Sequence, residues 1–299
     1  MAYRGRFAPS PTGPLHFGSL IAAVGSYLEA RSRGGEWLVR LEDLDRPRVA
    51  SGAANHILQT LRAFGFDWDG PLTRQSARED AYHAALHRLR AAGRVYPCSC
   101  SRREIADSAL RGIDGPVYPD TCAEGLRDER RARALRVRTD AEPIGFTDAV
   151  QGEIVQSLTR DIGDFLVYRA DRVFAYQLAV VVDDAQQGIT DVVRGSDLLL
   201  STPRQIHLQR LLGLPTPRYL HLPVAVNAEG QKLSKQTLAA AVEQDMGVPA
   251  LFAALHFLGQ SPAPKMRHLV LQDFWRAAFA TWDPARIPRV RERAAIAVL

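Results

Sequence analysis

The first 35 residues of this chain carry three successive patterns that restrict its fold more than any other segment does. Tyr3 to Ala8 is predicted to form a short buried strand, and the Pro, Ser and Gly residues up to position 14 exclude regular structure. Apolar residues then recur at helical spacing until Gly34 and Gly35 end the predicted helix. They are Leu20, Val24, Tyr27 and Leu28.

A strand, a glycine-bearing loop and a helix N-terminus together favour a bound phosphate. The free backbone N–H groups and the positive end of the helix dipole both attract an anion. The loop does not match the usual nucleotide-binding patterns, because both the P-loop sequence GxxxxGKS/T and the GxGxxG fingerprint are missing. The segment therefore predicts phosphate binding in a different strand–loop–helix arrangement.

Lysine is rare in this chain and clusters in one loop. Only three of the 38 Lys and Arg residues are lysines, and two of them, Lys232 and Lys235, lie in the segment Lys-Leu-Ser-Lys-Gln at 232–236. A compact ammonium on a flexible stem suits a loop that follows a phosphate through a reaction better than the planar fork of arginine does. The alternative is a solvated turn, because residues 228–231 have turn composition.

The two segments together resemble the signature motifs of the class I aminoacyl-tRNA synthetases. Residues 14–19, Pro-Leu-His-Phe-Gly-Ser, are similar to the HIGH motif, and residues 232–236 are similar to the KMSKS loop. Ser19 replaces the last histidine of HIGH and Gln236 replaces the last serine of KMSKS, so more of the expected work falls on His16 and Lys235. Further segments are similar to glutamyl-tRNA synthetases, and the resemblance spans about residues 3 to 240 in the family's order; these segments are 6–13, 40–45 and 179–195.

The resemblance implies that ATP activates an amino acid, a reaction that depends on positioning and on stabilising charge at phosphate oxygens. The expected ATP-binding residues are His16, Gly18, Lys232 and Lys235, and the expected catalytic residues are His16 and Lys235. His16 and the N–H groups around Gly18 would bind the triphosphate, and Lys235 would move onto it as charge develops. Mg²⁺ is implied as the companion of the nucleotide. His16 could instead be a core histidine with satisfied hydrogen bonds.

The resemblance also implies L-glutamate as the amino acid, whose two carboxylates and one ammonium require about two cations and one anion. The residues expected to bind it are Arg6, Ala8, Ser10, Glu42, Tyr176 and Arg194. By resemblance Arg6 and Arg194 bind the carboxylates and Glu42 binds the amino group. Tyr176 would contact the substrate through its hydroxyl. Without the motif, Glu42 would be expected in an ion pair with Arg40 or Arg46 on a solvated turn.

The length of the chain narrows the comparison within the family. Only 63 residues follow Gln236, fewer than the ~100–150 of a usual domain. We therefore expect a catalytic core at 1–240 and a short helical C-terminal region at 241–299, with no anticodon-binding domain. This organisation resembles the shortened paralogues that attach glutamate to the queuosine base in the anticodon of tRNA(Asp), with activation that needs no tRNA. The alternatives are a short synthetase that charges the 3′ end of tRNA(Glu), and a catalytically silent module that binds RNA or glutamate.

Composition is consistent with a globular chain and identifies no partner. The hydrophobic fraction of 46% supplies a sizeable core, and the aliphatic run at 178–182 is far shorter than the ~18 residues of a membrane span. Met1 is followed almost at once by the predicted first strand, so no signal peptide is expected. We expect a cytoplasmic monomer without a membrane partner. The net charge of +5 permits a polyanion such as tRNA.

All three cysteines lie within one segment, Cys98, Cys100 and Cys122. Three thiolates suit one structural Zn²⁺ ion, although a CxC pair is less specific than paired CxxC. A disulfide would close a cramped loop in a reducing compartment, and three separate buried thiols are the simpler alternative. No histidine lies between Cys100 and Cys122, so Tyr118, Asp120 or water would complete the site. The resemblance favours Tyr118.

The remaining pattern alternates strands with helices, which is typical of a doubly wound parallel sheet. A strand is predicted at 37–41, and helices are predicted at 55–64, 80–92, 201–212 and 249–257. Residues 219–226 lead into the lysine loop, and the tail is expected to pack helically. An arginine-rich, zinc-bearing insertion is predicted at 95–138, after which the sheet resumes near 164–169 and 190–193. The expected fold class is therefore α/β, a class I synthetase Rossmann-like parallel sheet with a small zinc-bearing insertion and a helical C-terminal region.

Overall fold

The strand, loop and helix expected at the N-terminus are present in a computed structural model of the chain, which describes residues 2–108, 110–126, 131–227, 229–233 and 241–295. Strand β1 is Arg4–Phe7 and helix α1 is Phe17–Ser32. Prolines at three positions between them lack the N–H that a β-ladder or a helix interior needs, so this connection stays irregular. Helix α1 is buried on several sides, and Leu20, Val24 and Leu28 are fully enclosed.

The other elements follow in chain order. The strands are β2 (Glu36–Leu41), β3 (Thr73–Arg74), β4 (Val95–Cys98), β5 (Arg111–Gly112), β6 (Gly115–Pro116), β7 (Ala134–Val137), β8 (Ile144–Asp148), β9 (Gly152–Gln156), β10 (Phe165–Tyr168), β11 (Asp191–Gly195), β12 (Arg218–Leu222), β13 (Val224–Val226) and β14 (Glu292–Ala294). The helices are α2 (Ala53–Ala63), α3 (Glu79–Ala91), α4 (Arg102–Ser108), α5 (Leu158–Asp161), α6 (Tyr176–Gln186), α7 (Thr202–Leu212), α8 (Gly247–Phe257) and α9 (Leu271–Thr281). Helices α2, α3, α7 and α8 lie within two residues of their predicted ends. Among the described helices, none is long and apolar enough to cross a membrane.

The central sheet is parallel. Strand β2 pairs in parallel with both β1 and β3, and β11 pairs in parallel with β12. Strands β1 and β11 adjoin, because the Thr190 N–H donates to the Arg4 carbonyl oxygen at 2.9 Å and the Arg4 N–H donates to Thr190 Oγ1 at 2.8 Å. The order β3, β2, β1, β11, β12 therefore brings the carboxyl ends of these strands to one edge. In such folds ligands bind at this edge.

The segment 164–169 does not rejoin the parallel sheet, so that prediction is wrong. Strand β10 pairs antiparallel with β7, and β7 pairs antiparallel with β4, in a separate sheet. Burial alternates along β10, as in a strand with one covered face, whereas the central strands of a parallel sheet are covered on both faces. An apolar run indicates a strand but specifies neither its partner nor its direction.

The C-terminal residues pack onto the same core as the N-terminal helix. The Phe257 ring of α8 meets the Phe17 ring of α1 edge to face, with centroids 6.0 Å apart. Helix α9 matches the expected helical tail, but Glu292–Ala294 departs from it and forms β14. This strand pairs in parallel with β13, which leads into the lysine loop.

An aromatic cluster joins the parallel sheet to the C-terminal helices. The Tyr27 ring lies 4.9 Å from the Trp37 ring and 5.0 Å from the Trp275 ring, and Phe66 lies 5.1 Å from Trp275. Trp275 also donates its indole N–H to the Phe64 carbonyl oxygen at 2.8 Å. Aromatic pairs at these separations contribute about 0.5–1.5 kcal/mol each beyond the area they bury. The cluster therefore ties α9 to α1 and β2.

Candidate active site

A cavity of about 620 Å³ opens at the carboxyl ends of the parallel strands. Most of the residues predicted to bind substrates line it: Arg6, Ala8, Ser10, His16, Gly18, Glu42, Tyr176, Arg194 and Lys232. These residues are far apart in sequence and meet because the strands that carry them end at one edge. The volume falls within the range of small-molecule sites in proteins. Lys235 lies outside the described residues, as do Ser234 and Gln236.

His16 is the N-cap of α1, on the wall of the cavity. Its Nδ1 accepts a hydrogen bond from the Ser19 N–H at 3.3 Å, and Ser19 Oγ accepts one from the His16 N–H at 2.8 Å. This reciprocal capping box satisfies two N–H groups at the helix start. Ser19, which departs from the HIGH pattern, therefore has a structural use. The remaining N–H groups of the first turn point toward the cavity end of α1 and suit an anion.

Gly18 allows the lysine loop to approach the start of α1. A Cβ atom at this position would lie 3.3 Å from the Leu233 carbonyl oxygen and 3.1 Å from the His16 ring, closer than side-chain carbons normally pack. The same loop is held by an ion pair, in which Lys232 Nζ lies 2.6 Å from Asp197 Oδ2. The loop thus reaches over the N-terminal end of α1.

Arg6 is buried and already has one internal partner. Its Nε and Nη2 donate to the two carboxylate oxygens of Asp184 at 3.1 and 3.4 Å. Asp184 also accepts from Arg40 Nη2 at 2.8 Å, so a single carboxylate holds two guanidinium groups. These two arginines hold the pKa of Asp184 below its usual range although burial acts to raise it. Arg6 is thereby fixed in orientation with further N–H donors at the cavity wall.

Glu42 is buried and does not lie on a solvated turn. The alternative of an exposed ion pair is therefore wrong about exposure, although the expected partner Arg40 is correct. Its side chain is 10% exposed, and its Oε1 lies 3.4 Å from Arg40 Nη2. Burial raises the pKa of Glu42, and the charges of Arg40 and Arg6 oppose that rise. A carboxylate held this way between cations can bind an ammonium group in the cavity.

Arg194 is the second buried arginine of the cavity, and four polar groups orient it. Its Nη1 donates to the Tyr176 hydroxyl at 3.2 Å, and its Nη2 donates to Thr202 Oγ1 at 2.8 Å and to the Leu198 carbonyl oxygen at 3.4 Å. Its Nε donates to His221 Nε2 at 3.0 Å. These contacts use four of the five guanidinium N–H donors, which leaves one on Nη1 for a ligand.

His221 is in turn bound to a buried carboxylate. Its Nδ1 lies 2.6 Å from Asp148 Oδ2, and both side chains are fully buried. Burial lowers the pKa of His221 to about 4, with the Arg194 charge acting in the same direction and Asp148 opposing it. His221 is therefore neutral at neutral pH.

Reasoning from the sequence missed four residues behind the cavity wall, Asp148, Asp184, Thr202 and His221, and the contact of Arg40 with Asp184. A signal exists for two of them. Asp184 is the second of two aspartates at the end of a buried aliphatic run, where a carboxylate needs a cation, and His221 lies between two leucines of a strand. No local pattern marks Asp148 or Thr202.

The three cysteines meet in the insertion. Their sulfur atoms lie within 4.8 Å of one another, and Cys100 Sγ is 3.5 Å from Cys122 Sγ. The Tyr118 hydroxyl oxygen lies 3.6 Å from Cys98 Sγ and 3.7 Å from Cys100 Sγ. A tetrahedron with Zn–S bonds of about 2.3 Å has edges of about 3.8 Å. The three separations of 3.5, 3.6 and 3.7 Å are close to these edges.

The surroundings of this cluster suit anionic ligands. Arg136 is buried, donates its Nε–H to Cys98 Sγ at 3.3 Å, and stacks on the Tyr118 ring with its Cζ 3.6 Å from the centroid. Burial raises the pKa of Cys100 to about 11, so this thiol needs a positive charge nearby to ionise. One guanidinium and a divalent metal would supply it. The cluster could hold a metal.

Comparison with known proteins identifies the family of this chain. Residues 2–279 match the model of the tRNA synthetases class I (E and Q), catalytic domain. Proteins named Glutamyl-Q tRNA(Asp) synthetase are similar along almost the whole chain. The relative from Aromatoleum aromaticum is 58% identical over 96% of this chain and 91% of its own length. The relative from Dechloromonas aromatica is 58% identical over 96% of both chains, and that from Neisseria gonorrhoeae is 53% identical over 96% and 98%.

Solved structures show the same fold at low sequence identity. A glutamate tRNA ligase from Elizabethkingia meningosepticum, solved in complex with its amino acid, superposes with a TM-score of 0.79 at 22% identity, over 99% of this chain and 68% of that chain. The methionyl-tRNA synthetase of Mycobacterium tuberculosis gives a TM-score of 0.55 at 12% identity, over 86% of this chain and 63% of that chain. At these identities the likeness concerns the fold alone.

Proposed function

Because the chain belongs to the class I tRNA synthetases for glutamate and glutamine, and so is a ligase, we propose that it activates L-glutamate with ATP and transfers the glutamyl group to the queuosine base in the anticodon of tRNA(Asp). The observation that carries this proposal is the cavity in which Arg6, Glu42, Tyr176 and Arg194 converge beside the start of α1. The acceptor is inferred from the name that these relatives share, Glutamyl-Q tRNA(Asp) synthetase.

The charges of the cavity match those of glutamate. Two arginines face the two carboxylates, and Glu42 faces the ammonium group, while Ala8 and Ser10 shape the wall from the first loop. Charge-assisted hydrogen bonds contribute about 1.5–3 kcal/mol each, so glutamine, which lacks one carboxylate, should bind much more weakly. The Tyr176 hydroxyl, already bound to Arg194, would orient the substrate. This set is complete without RNA, so activation should need no tRNA.

ATP would bind across the start of α1 with Mg²⁺ on its phosphates. The N–H groups around Gly18 and the ring of His16 would meet the triphosphate, and Lys232 lies at the mouth of the same cavity. Glutamate attacks the α-phosphate and pyrophosphate leaves, so positive groups must follow charge that develops on phosphate oxygens. Lys235 is proposed for that task from its place in the lysine loop. ATP and mature tRNA as substrates place this reaction in the cytoplasm.

Zinc is proposed as a structural ion in the insertion, held by Cys98, Cys100, Tyr118 and Cys122. A site with four protein ligands leaves no position open for chemistry, so the ion would hold the insertion together. Arg102 and Arg103 at the start of α4 and Arg133 before β7 would neutralise tRNA phosphates, which makes transfer salt-sensitive.

Two assays test the proposal in sequence. ATP–pyrophosphate exchange that depends on glutamate, measured without tRNA, tests activation. Labelled glutamate is then offered to tRNA(Asp) with and without queuosine, to the isolated anticodon stem-loop of the modified tRNA, and to tRNA(Glu). We expect label on the two queuosine-bearing acceptors, because a base displaced from its stack can enter the cleft beside the adenylate.

Each assay has an outcome that contradicts the proposal. Exchange that requires tRNA would contradict the claim that the glutamate pocket is complete. Label confined to the 3′ end of tRNA(Glu) would reject the queuosine acceptor and leave a short synthetase for ordinary charging. An equal yield with unmodified tRNA(Asp) would reject the base as the acceptor.

A further inference from the structure

Arg194 enters the cavity at the end of a buried hydrogen-bond chain that starts at Asp148. We propose that Asp148 and His221 are positioning residues, which fix the histidine tautomer that accepts a hydrogen bond from Arg194 and so hold this arginine for the substrate carboxylate. The assignment of the carboxylate rests on the proposed function. The chain of contacts itself does not.

The carboxylate of Asp148 is held in one orientation by the backbone. Its Oδ1 accepts hydrogen bonds from the N–H groups of Val150, Gln151 and His221, at 3.0, 2.9 and 3.1 Å. Three N–H donors require an oxygen at that position, so this end of the side chain cannot be a donor. The other oxygen, Oδ2, faces His221 Nδ1 at 2.6 Å.

This arrangement selects one tautomer of His221. A proton on Nδ1 is donated to Asp148, which leaves the lone pair of Nε2 for the Arg194 Nε–H at 3.0 Å. In the opposite tautomer, the Nε2–H of His221 would face the Nε–H of Arg194, and neither group could accept a hydrogen bond. An arginine Nε–H is a permanent donor, so it can be satisfied here only by an acceptor. The Asp148 carboxylate therefore determines, through the His221 ring, whether the Arg194 Nε–H has an acceptor.

The geometry does not indicate a nucleophilic triad, although Thr202 Oγ1 lies 3.3 Å from His221 Nε2. The Thr202 side chain is fully buried and already accepts from Arg194 Nη2 at 2.8 Å, so no substrate atom can reach it. Nε2 is likewise occupied by Arg194. The side chains of His221, Thr202 and Tyr176 instead hold the Arg194 guanidinium in place at the cavity.

The sharpest test is Asp148→Asn, which keeps shape and removes one acceptor. The three backbone donors will hold the amide oxygen at the Oδ1 position, so the amide NH₂ must face His221 Nδ1. Nδ1 of His221 must then accept from this amide, so the ring carries its proton on Nε2, where it faces the Arg194 Nε–H. We expect the KM for glutamate in ATP–pyrophosphate exchange to rise about ten- to hundredfold, the effect of leaving a buried donor unsatisfied. The KM for ATP should change less than about twofold.

A pair of substitutions at His221 separates positioning from simple packing. His221→Gln can place an amide oxygen near the former Nε2 and should keep the KM for glutamate close to that of the parent protein. His221→Asn reaches only toward Asp148, leaves Arg194 without its acceptor and should behave like Asp148→Asn. His207→Gln is the control, because this histidine is also buried and binds the Arg138 carbonyl oxygen at 2.8 Å, away from the cavity.

Nitrogen-15 NMR of the histidine rings reads the tautomer directly and does not depend on catalysis. The inference requires the proton on Nδ1 of His221 in the parent protein and on Nε2 in Asp148→Asn. An Nε2–H tautomer in the parent protein would overturn it, as would an unchanged KM for glutamate in both Asp148→Asn and His221→Asn. If the parent protein shows no glutamate-dependent exchange, the proposed function fails. The tautomers and the Arg194 Nε–H shift then still decide whether Asp148 and His221 hold Arg194.

Discussion

At the scale of single residues, the cavity depends on buried charges that are held by other buried groups. Arg6 is oriented by Asp184, Glu42 faces Arg40, and Arg194 rests on His221. Each partner removes freedom from a side chain before any ligand arrives, which is how a site gains affinity without more contacts. The cost of such burial is sensitivity to protonation.

The neutral His221 predicts a loss of stability in acid. Burial holds its pKa at about 4, while an unfolded histidine titrates near its usual ~6.5. As pH falls through this window the unfolded chain takes up a proton that the folded chain does not, so the free energy of unfolding decreases by up to about 3 kcal/mol from this group. Burial lowers the pKa of His207 as well and adds to the same trend. The decrease from His221 ends below about pH 4.

Urea unfolding at several pH values between 4 and 7 checks this prediction. His221→Gln removes the titrating ring and should flatten the decline of the unfolding free energy, whereas substitution of the exposed His87 by Gln should leave the decline as it is. An equally steep decline in His221→Gln would show that other groups carry the pH dependence.

The motifs predicted residues that line the cavity but not the buried residues that support them. Arg6, His16, Gly18 and Glu42 belong to short segments whose composition is informative by itself. Asp148 and His221 come from strands that are distant in sequence, and only the register of β12 beside β8 brings them together. A pairing between strands is a tertiary fact that local pattern does not contain.

At the scale of elements, the lysine loop and the cysteine segment are proposed to have different roles, which two sets of variants separate. Lys235→Ala is expected to reduce glutamate-dependent pyrophosphate exchange by about 10²–10³, the usual effect of removing one preorganised charge donor. Lys265→Ala is the matched control, because this third lysine is exposed on a short helical turn and should keep full exchange. Circular dichroism should be unchanged in both variants. Near-normal exchange in Lys235→Ala would remove the catalytic role of the loop.

The cysteine segment predicts a different phenotype. Cys98→Ser should lose the bound metal and lower Tm by several degrees, since each kcal/mol of lost stability lowers Tm by about 2–4 °C in larger domains. The KM for glutamate should stay within about twofold, because the cluster does not line the cavity. Elemental analysis and thermal unfolding measure both effects, with Thr121→Ala as a control that lies beside Cys122 in sequence and keeps all four proposed ligands. Parent protein purified without stoichiometric zinc would contradict the site.

Helices and strands could be predicted from the sequence where the spacing of apolar residues alone determines them. Helix α3, with one apolar face, was predicted to within one residue at each end. Strand β10 was recognised as part of a strand but assigned to the wrong sheet, because its apolar run is the same whichever neighbour it pairs with. Strand β14 was not recognised, since its sequence Glu-Arg-Ala has no strand pattern and its pairing depends on β13.

At the scale of the whole molecule, the C-terminal helices share the core of the parallel sheet. Trp275→Ala should therefore lower the free energy of unfolding by about 3–5 kcal/mol, as other large-to-small changes of buried tryptophan do. Unfolding should remain a single transition. Arg276→Ala, on the exposed face of the same helix, should change it by less than about 0.5 kcal/mol. A separate early transition of the tail, seen by calorimetry, would contradict a shared core.

The contacts of Tyr27 with Trp37 and Trp275 also give the protein an intrinsic fluorescence probe of its packing. Trp37 and Trp275 are both shielded from water, and a single tyrosine ring lies within about 5 Å of each of them. Light absorbed by Tyr27 will pass to these indoles, one on the catalytic sheet and the other on the C-terminal helix. Their emission should be blue-shifted in the native state, and transfer from Tyr27 to Trp275 should be lost in the same transition in which the spectrum moves to the red. The packing of α9 against α1 and β2 can therefore be followed by intrinsic fluorescence, without any added label.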